Sequence, residues 1–291
     1  MAPKSVLVTG ASTGIGRACA LTMDRLGWDV FAGVRKQKDA DSLAADASAR
    51  LVPLILDVVD GDTIEESARR VQEATAGRGL NGLVNNAGIT VQGPLEYVPL
   101  DDLRKQWEVN ITGQIAVTQA FLPAIRKATG RIVFMSSISG RAEALPIIGP
   151  YAASKRALEA LAESLRVELL PWDIRVALIE PGSIATPIWE KGDATFDDSV
   201  AALPEEGRRR YLRTLQKARE LGKKTGERGI PPERVADRVV HALTSSRPRF
   251  RYLVGNDAKA QAYVGPLVPT FAKDRAFKRV LGLGDSNDEG V

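Results

Sequence analysis

Short runs of β-branched and other apolar residues alternate along this 291-residue chain with longer segments whose apolar positions recur every three to four residues. The first pattern predicts strands covered on both faces, and the second predicts amphipathic helices. Strands are predicted near Ser5–Thr9, Asp29–Val34, Val52–Leu56, Gly82–Asn85, Arg131–Ser136, Ile174–Glu180 and Arg251–Val254. Helices fall between them at roughly Gly14–Leu26, Ala40–Ala49, Thr63–Thr75, Leu100–Lys127, Tyr151–Leu170 and Pro232–Ser245. This alternation predicts βαβ units, and hence an α/β chain with a doubly wound parallel sheet of about seven strands and helices on both faces. A single domain is expected over residues 1–291. The rhythm falters between Pro181 and Ile230, where Leu203–Gly222 reads as a helix charged on most faces. An insertion of this length is expected to form a helical lid, over about 183–230. The Gly/Asp/Asn-rich tail, 285–291, is expected to fray.

Composition narrows the chemistry. With 44% apolar and 26% charged residues the chain reads as globular. No apolar run approaches the roughly 18 residues of a membrane span, and with strand-like Ser5–Thr9 so soon after Met1 no signal peptide is expected. One cysteine, Cys19, cannot form an internal disulfide, so a reducing, cytoplasmic setting is expected. With His241 the only histidine, no multi-thiolate or histidine-rich metal site is expected, and a Ser-His-Asp hydrolase is disfavoured. The formal charge is +4, but Arg208–Arg251 holds fourteen basic residues against four acidic ones. That segment is expected to be a solvated helical face, with no nucleic-acid partner, because few aromatic residues interleave the charges; whether it meets a partner or a membrane surface stays open.

Five short patterns carry candidate chemistry. Thr9-Gly10-Ala11-Ser12-Thr13-Gly14-Ile15-Gly16 joins the first strand to the first helix, where glycines permit positive φ and helix N–H groups face an anion. It is either a tight turn or a phosphate cradle, and its place in a βα unit favours the cradle. Tyr151 and Lys155 stand four apart on a helix, hence on one face, and an adjacent cation lowers a phenol's pKa. Ser136-Ser137-Ile138-Ser139-Gly140 puts hydroxyls at the carboxyl end of a strand, where ligands lie in open parallel sheets, or simply caps the turn. Asn85-Asn86-Ala87-Gly88 ends another strand and reads alternatively as an ordinary turn. Asn110 interrupts a helix or is merely tolerated there.

In this order the patterns resemble the short-chain dehydrogenases/reductases. The resemblance covers about residues 4–255 and rests on Thr9-Gly10-x3-Gly14-Ile15-Gly16, Asp57, Asn85-Asn86-Ala87-Gly88, Asn110, Ser136-Ser137, Tyr151-x3-Lys155 and Pro181-Gly182 with Thr186. It implies a Rossmann fold and an NAD(P)-dependent oxidoreductase. Tyr151 would be the general acid/base, Lys155 its pKa-lowering cation and ribose ligand, Ser137 the hydrogen-bond partner of the substrate oxygen, and Asn110 the holder of a helix break and a relay water. The dinucleotide would contact Gly10, Ser12, Thr13, Gly14, Ile15, Gly16, Arg35, Asp57, Asn86, Ala87, Gly88, Tyr151, Lys155, Pro181, Gly182 and Thr186. One departure concerns the serine, which in the family stands thirteen residues before the tyrosine; that position is Ile138 here. Ser137 is aligned instead, with Ser139 as the second candidate.

Val30-Phe31-Ala32-Gly33-Val34-Arg35 and Arg251-Tyr252-Leu253-Val254-Gly255-Asn256-Asp257-Ala258-Lys259 are similar to the hydroxysteroid and retinol dehydrogenase branch. The second strand closes on Arg35-Lys36 without a carboxylate, so NADP(H) is expected over NAD(H). Ala144–Ile148, with Ile184, Pro187, Ile188 and Trp189, predicts an apolar pocket for a lipophilic alcohol or ketone, such as a steroid or retinoid. The alternatives are a 3-oxoacyl-thioester reductase and a non-catalytic dinucleotide sensor. The family's common dimers and tetramers imply a homo-oligomer.

Overall fold

Every predicted strand is present, within a residue or so of its expected limits. In a computed structural model, which describes residues 3–187, 189, 193, 194 and 196–283, they are β1 (Ser5–Val8), β2 (Asp29–Val34), β3 (Leu51–Ile55), β4 (Gly82–Asn85), β5 (Arg131–Met135), β6 (Arg175–Pro181) and β7 (Arg251–Val254). All pair in parallel, in the order β3-β2-β1-β4-β5-β6-β7. The order reverses between β1 and β4, which opens a crevice at their carboxyl ends.

Period-two alternation distributes the core. Val6, Val8, Val30 and Ala32 pack on one face with α1 (Gly14–Arg25), α2 (Gln37–Ala45) and α9 (Glu233–Thr244). Leu7, Phe31, Leu83, Ile132 and Phe134 pack on the other with α3 (Gly61–Ala74), α5 (Gly113–Ala128) and α6 (Gly149–Glu168). Asp60 caps α3 by accepting from the Asp62 and Thr63 amides.

The predicted helix Leu100–Lys127 is continuous in course but changes winding: α4 (Leu100–Trp107) passes through a π-helical turn, Glu108–Thr112, into α5. Asn110 lies in that turn. The expected break is thus one extra residue per turn, of the kind found at functional sites.

The 181–230 insertion holds α7 (Phe196–Ala201) and α8 (Glu205–Glu227). Beyond β7 the chain forms α10 (Asn256–Tyr263) and α11 (Thr270–Leu281), neither of which the sequence pattern marked. Ile188 and the tail 285–291 lie outside the described residues. No helix among the described residues is long and apolar enough to cross a membrane.

Candidate functional site

The glycine-rich turn is built by contacts across the β1/β4 crevice. The Thr9 hydroxyl, fully buried, accepts from the amides of Asn86 (3.0 Å) and Ala87 (3.1 Å). Asn86 returns its side-chain amide to the carbonyls of Thr9 (3.0 Å) and Gly10 (3.1 Å). Gln114 on α5 holds the Ala87 carbonyl at 2.8 Å.

Space then dictates the glycines. Gly10 has φ +63°, and a Cβ there would lie 2.8 Å from the Ala87 Cα. A Cβ on Gly16 would lie 2.2 Å from the Gly10 oxygen, so α1 is pressed onto the turn. Gly14, at φ +57°, faces the side chain of Thr186. Thr13 makes no side-chain cap and the first turn of α1 carries no acidic residue. The helix therefore presents uncapped N–H groups and no repelling charge beside Ser12 and Thr186, which fits a pyrophosphate.

The neighbouring strand ends extend the groove. Arg35 is exposed just past β2, next to Lys36. Asp57, just past β3, accepts from the Val59 amide at 3.2 Å. Pro181 closes β6 and Gly182 follows it.

Tyr151 and Lys155 project from consecutive turns of α6, with the Lys155 Nζ 5.7 Å from the Tyr151 ring centre. Lys155 is 4% exposed and donates to the Met135 carbonyl at 2.8 Å. Burial brings its pKa down to about 8, opposed by the negative charge of Glu159. Tyr151 is half-buried. Burial pushes the phenol's pKa up, and the Ser137 side chain, within hydrogen-bonding reach, opposes it. In the chain alone burial therefore holds the phenol above its ordinary pKa, which corrects the simple expectation of a lowered one.

Among the serines, Ser137 faces the tyrosine. Ser136 turns away, buried, to donate to Glu159 at 2.6 Å. Ser139 gives its amide to the Ser137 Oγ at 3.1 Å. Asn110 commits both side-chain N–H groups, to the Ile89 carbonyl (2.9 Å) and the Ser154 hydroxyl (3.0 Å), and accepts from the Ile89 amide (2.8 Å). A Cβ on Gly88 would meet Asn110 at 3.3 Å and the Lys155 Nζ at 3.7 Å. The predicted residues from the glycine turn to Lys155 thus lie at or just past the carboxyl ends of the strands, or on the helices packed beside them.

Sequence reasoning missed Asp257. Its carboxylate accepts from the Ser183 amide at 2.7 Å and fills the space beside Gly182 and Gly255, locking α10 onto the turn after β6. The Gly255-x-Asp257 spacing was the available signal. Cys19 is buried, and its thiol is pushed up to about 12, so it is packing. His241 pairs with the Tyr252 hydroxyl at 3.0 Å, away from the groove.

The insertion docks on the 89–99 loop. Arg210 and Tyr211 of α8 each reach Glu96 at 2.9 Å, and Tyr97 packs edge-on against Tyr211. Trp189 packs on Gly226 and donates its indole N–H to the Ile184 carbonyl at 2.8 Å. With Ala185, Thr186, Pro187 and Lys223 it lines a cavity of about 480 Å³.

Fold and groove define an α/β oxidoreductase that binds a nicotinamide dinucleotide. The chain belongs to the short-chain dehydrogenase family, whose sequence profile matches residues 4–196. It is 37% identical to mouse (Mus musculus) retinol dehydrogenase 16 over 93% of this chain and 86% of the relative. It is 33% identical to the NADPH-dependent 3-dehydrocapnine reductase of Ornithobacterium rhinotracheale, over 94% and 96%. A Burkholderia cenocepacia short-chain dehydrogenase crystallised with NADP superposes with a TM-score of 0.72 at 25% identity, covering 94% of this chain and 97% of that one.

Proposed function

We propose that the chain transfers hydride reversibly between NADP(H) and a lipophilic alcohol or ketone, with Tyr151 as general acid/base. The observation that carries this reading is the convergence of the Tyr151 phenol, the Ser137 side chain and the buried Lys155 ammonium beside an uncapped glycine cradle. The dinucleotide bound there supplies or accepts the hydride. In reduction, Tyr151 gives its proton to the substrate oxygen while Ser137 hydrogen-bonds the same atom. Lys155 stabilises the phenolate that results, its charge strengthened by the dry surroundings. Asn110, on its π-turn, anchors Ile89 and Ser154 next to Lys155, where a water relaying protons would be held.

The rim supports an apolar substrate. Leu95, 73% exposed, lies against Gly149, while Ile147 and Ile148 flank the start of α6. The strand β2 runs directly into Arg35 and Lys36 with no carboxylate between, which supports a 2′-phosphate there. Two relatives' names point the same way, one to retinol and one to NADPH. The single buried Cys19 suits a reducing, cytoplasmic setting.

The test is a turnover screen with NADPH and NADH against a steroid ketone, a medium-chain ketone, a 3-oxoacyl thioester and a sugar. The lipophilic ketones with NADPH should give the highest kcat/KM. Tyr151→Phe should lower kcat by roughly 10² or more with dinucleotide binding retained. Arg35→Ala should weaken NADP binding about tenfold and leave NAD binding unchanged. A preference for the sugar, tighter binding of NAD than of NADP, or near-normal kcat in the Phe variant would overturn the reading.

A further inference from the structure

Three successive turns of α6 grip three successive residues at the end of β5. Lys155 donates to the Met135 carbonyl at 2.8 Å, Glu159 accepts from the Ser136 hydroxyl at 2.6 Å, and the Ser137 side chain opposes the burial that pushes up the Tyr151 phenol's pKa. Positions 151, 155 and 159 share one helix face. Glu159 is 5% exposed, and its second oxygen accepts from Arg251 of β7 at 2.6 Å. Arg251 also binds the fully buried Glu180 of β6, and Glu163 one turn further along α6 at 2.5 Å. Arg141 stands 3.8 Å from the other oxygen of Glu180. The turn carrying Ser137 wraps over this cluster so closely that a Cβ on Gly140 would sit 2.6 Å from the Glu159 carboxylate and 2.9 Å from the Ser136 hydroxyl.

We propose that Glu159, seated by Arg251 and tethered to Ser136, is a positioning residue for hydride transfer, fixing the end of β5 so that Ser137 meets Tyr151. This rests on the proposed roles of Tyr151 and Ser137. Stability alone is a poor reason for the cluster. Two buried carboxylates around one guanidinium carry a desolvation cost that the pairing roughly cancels, and apolar residues of similar volume commonly do as well. What apolar residues lack is direction: only the carboxylate holds the Ser136 hydroxyl, and with it the rotation of the next residue. The same charge sits one turn from Lys155 and favours its ammonium. The charged groups around Glu159 are Lys155 and Glu163 from α6, Glu180 from β6, and Arg251 from β7, with Arg141 set against Glu180.

The experiment compares Ser136→Ala, Ser136→Thr and Glu159→Gln in the full chain. It measures NADPH-linked kcat and KM across pH, and the ultraviolet phenolate titration of Tyr151 without dinucleotide, taken as a difference from the matching Tyr151→Phe background. Ser136→Ala should lower kcat about tenfold with dinucleotide affinity unchanged, and raise the Tyr151 midpoint by about one pH unit as the Ser137 side chain turns from the phenol. Ser136→Thr should restore both. Glu159→Gln, which still offers an oxygen to Ser136, should move the alkaline limb of kcat down by about one pH unit, because Lys155 then loses its proton more easily. Unchanged kcat and an unmoved Tyr151 midpoint in Ser136→Ala would overturn the proposal, as would a loss confined to thermal stability. If the wild type turns over no substrate, the enzymatic reading fails. The Tyr151 midpoint in Ser136→Ala still decides the tether: a rise supports it, and none removes it.

Discussion

At Lys155 two requirements conflict. The ammonium anchors Met135 from inside the protein, yet burial favours its neutral form and brings its pKa from 10.5 to about 8. Between these values the unfolded chain holds more protons than the folded one, so stability contributed by this group rises as pH climbs through that window. Below pH 8 the full cost of burying the charge is present, on the order of 3 kcal/mol. Lys155→Met, apolar and of similar length, should therefore raise the thermal midpoint of the dinucleotide-free protein at neutral pH and flatten its slope between about pH 8 and pH 10. The same change should lower kcat by roughly 10² or more, a stability gain opposed to function. Calorimetry across pH together with steady-state assays checks both halves. An unchanged midpoint would mean that the Met135 hydrogen bond offsets the burial.

Among the elements, α8 is the one we propose as a lid, because it docks on the 89–99 loop. Its links to the 89–99 loop are the Glu96 contacts with Arg210 and Tyr211 and the Tyr97–Tyr211 edge contact. Glu96 and Arg210 are each over 40% exposed, so their pairing is worth at most about 1 kcal/mol. Glu96→Ala should leave the melting temperature within a few degrees of wild type and raise KM for a lipophilic ketone several-fold, with kcat retained, because the closed position is less populated. The helix itself was legible from its charge pattern, at 203–222 against an observed Glu205–Glu227. Its docking was not, since Glu96 and Arg210 are 114 residues apart. The last two helices escaped for another reason. Asn256–Tyr263 is only eight residues long and α11 follows two prolines, while Leu267 and Phe271 point outward, so no apolar stripe announces them.

For the whole molecule, the sheet's two apolar faces supply the stability that the groove draws upon. Phe134 is fully buried in β5, two residues before Ser136. Phe134→Ala should cost about 3–5 kcal/mol through the cavity it leaves. Leu95→Ala, at the rim, should cost under about 0.5 kcal/mol yet raise KM for apolar substrates. Denaturant unfolding of both variants beside wild-type activity separates core from rim. A large stability loss at Leu95, or none at Phe134, would contradict this division.

The sequence by itself determined the elements and their chemistry, because both follow from short-range rules. Alternation placed seven strands, positive φ demanded glycine at Gly10 and Gly14, and four-residue spacing put Tyr151 and Lys155 on one face. What tertiary structure alone decided depends on how distant elements pack. Of the three hydroxyls after β5, packing turned Ser136 to Glu159 and left Ser137 for Tyr151. It raised the Tyr151 phenol's pKa by burial, wound Asn110 into a π-turn, and brought Arg251 to Glu159 across 92 residues of chain. No local pattern encodes such a pair, since the energy that joins it exists only once both strands and the helix between them are in place.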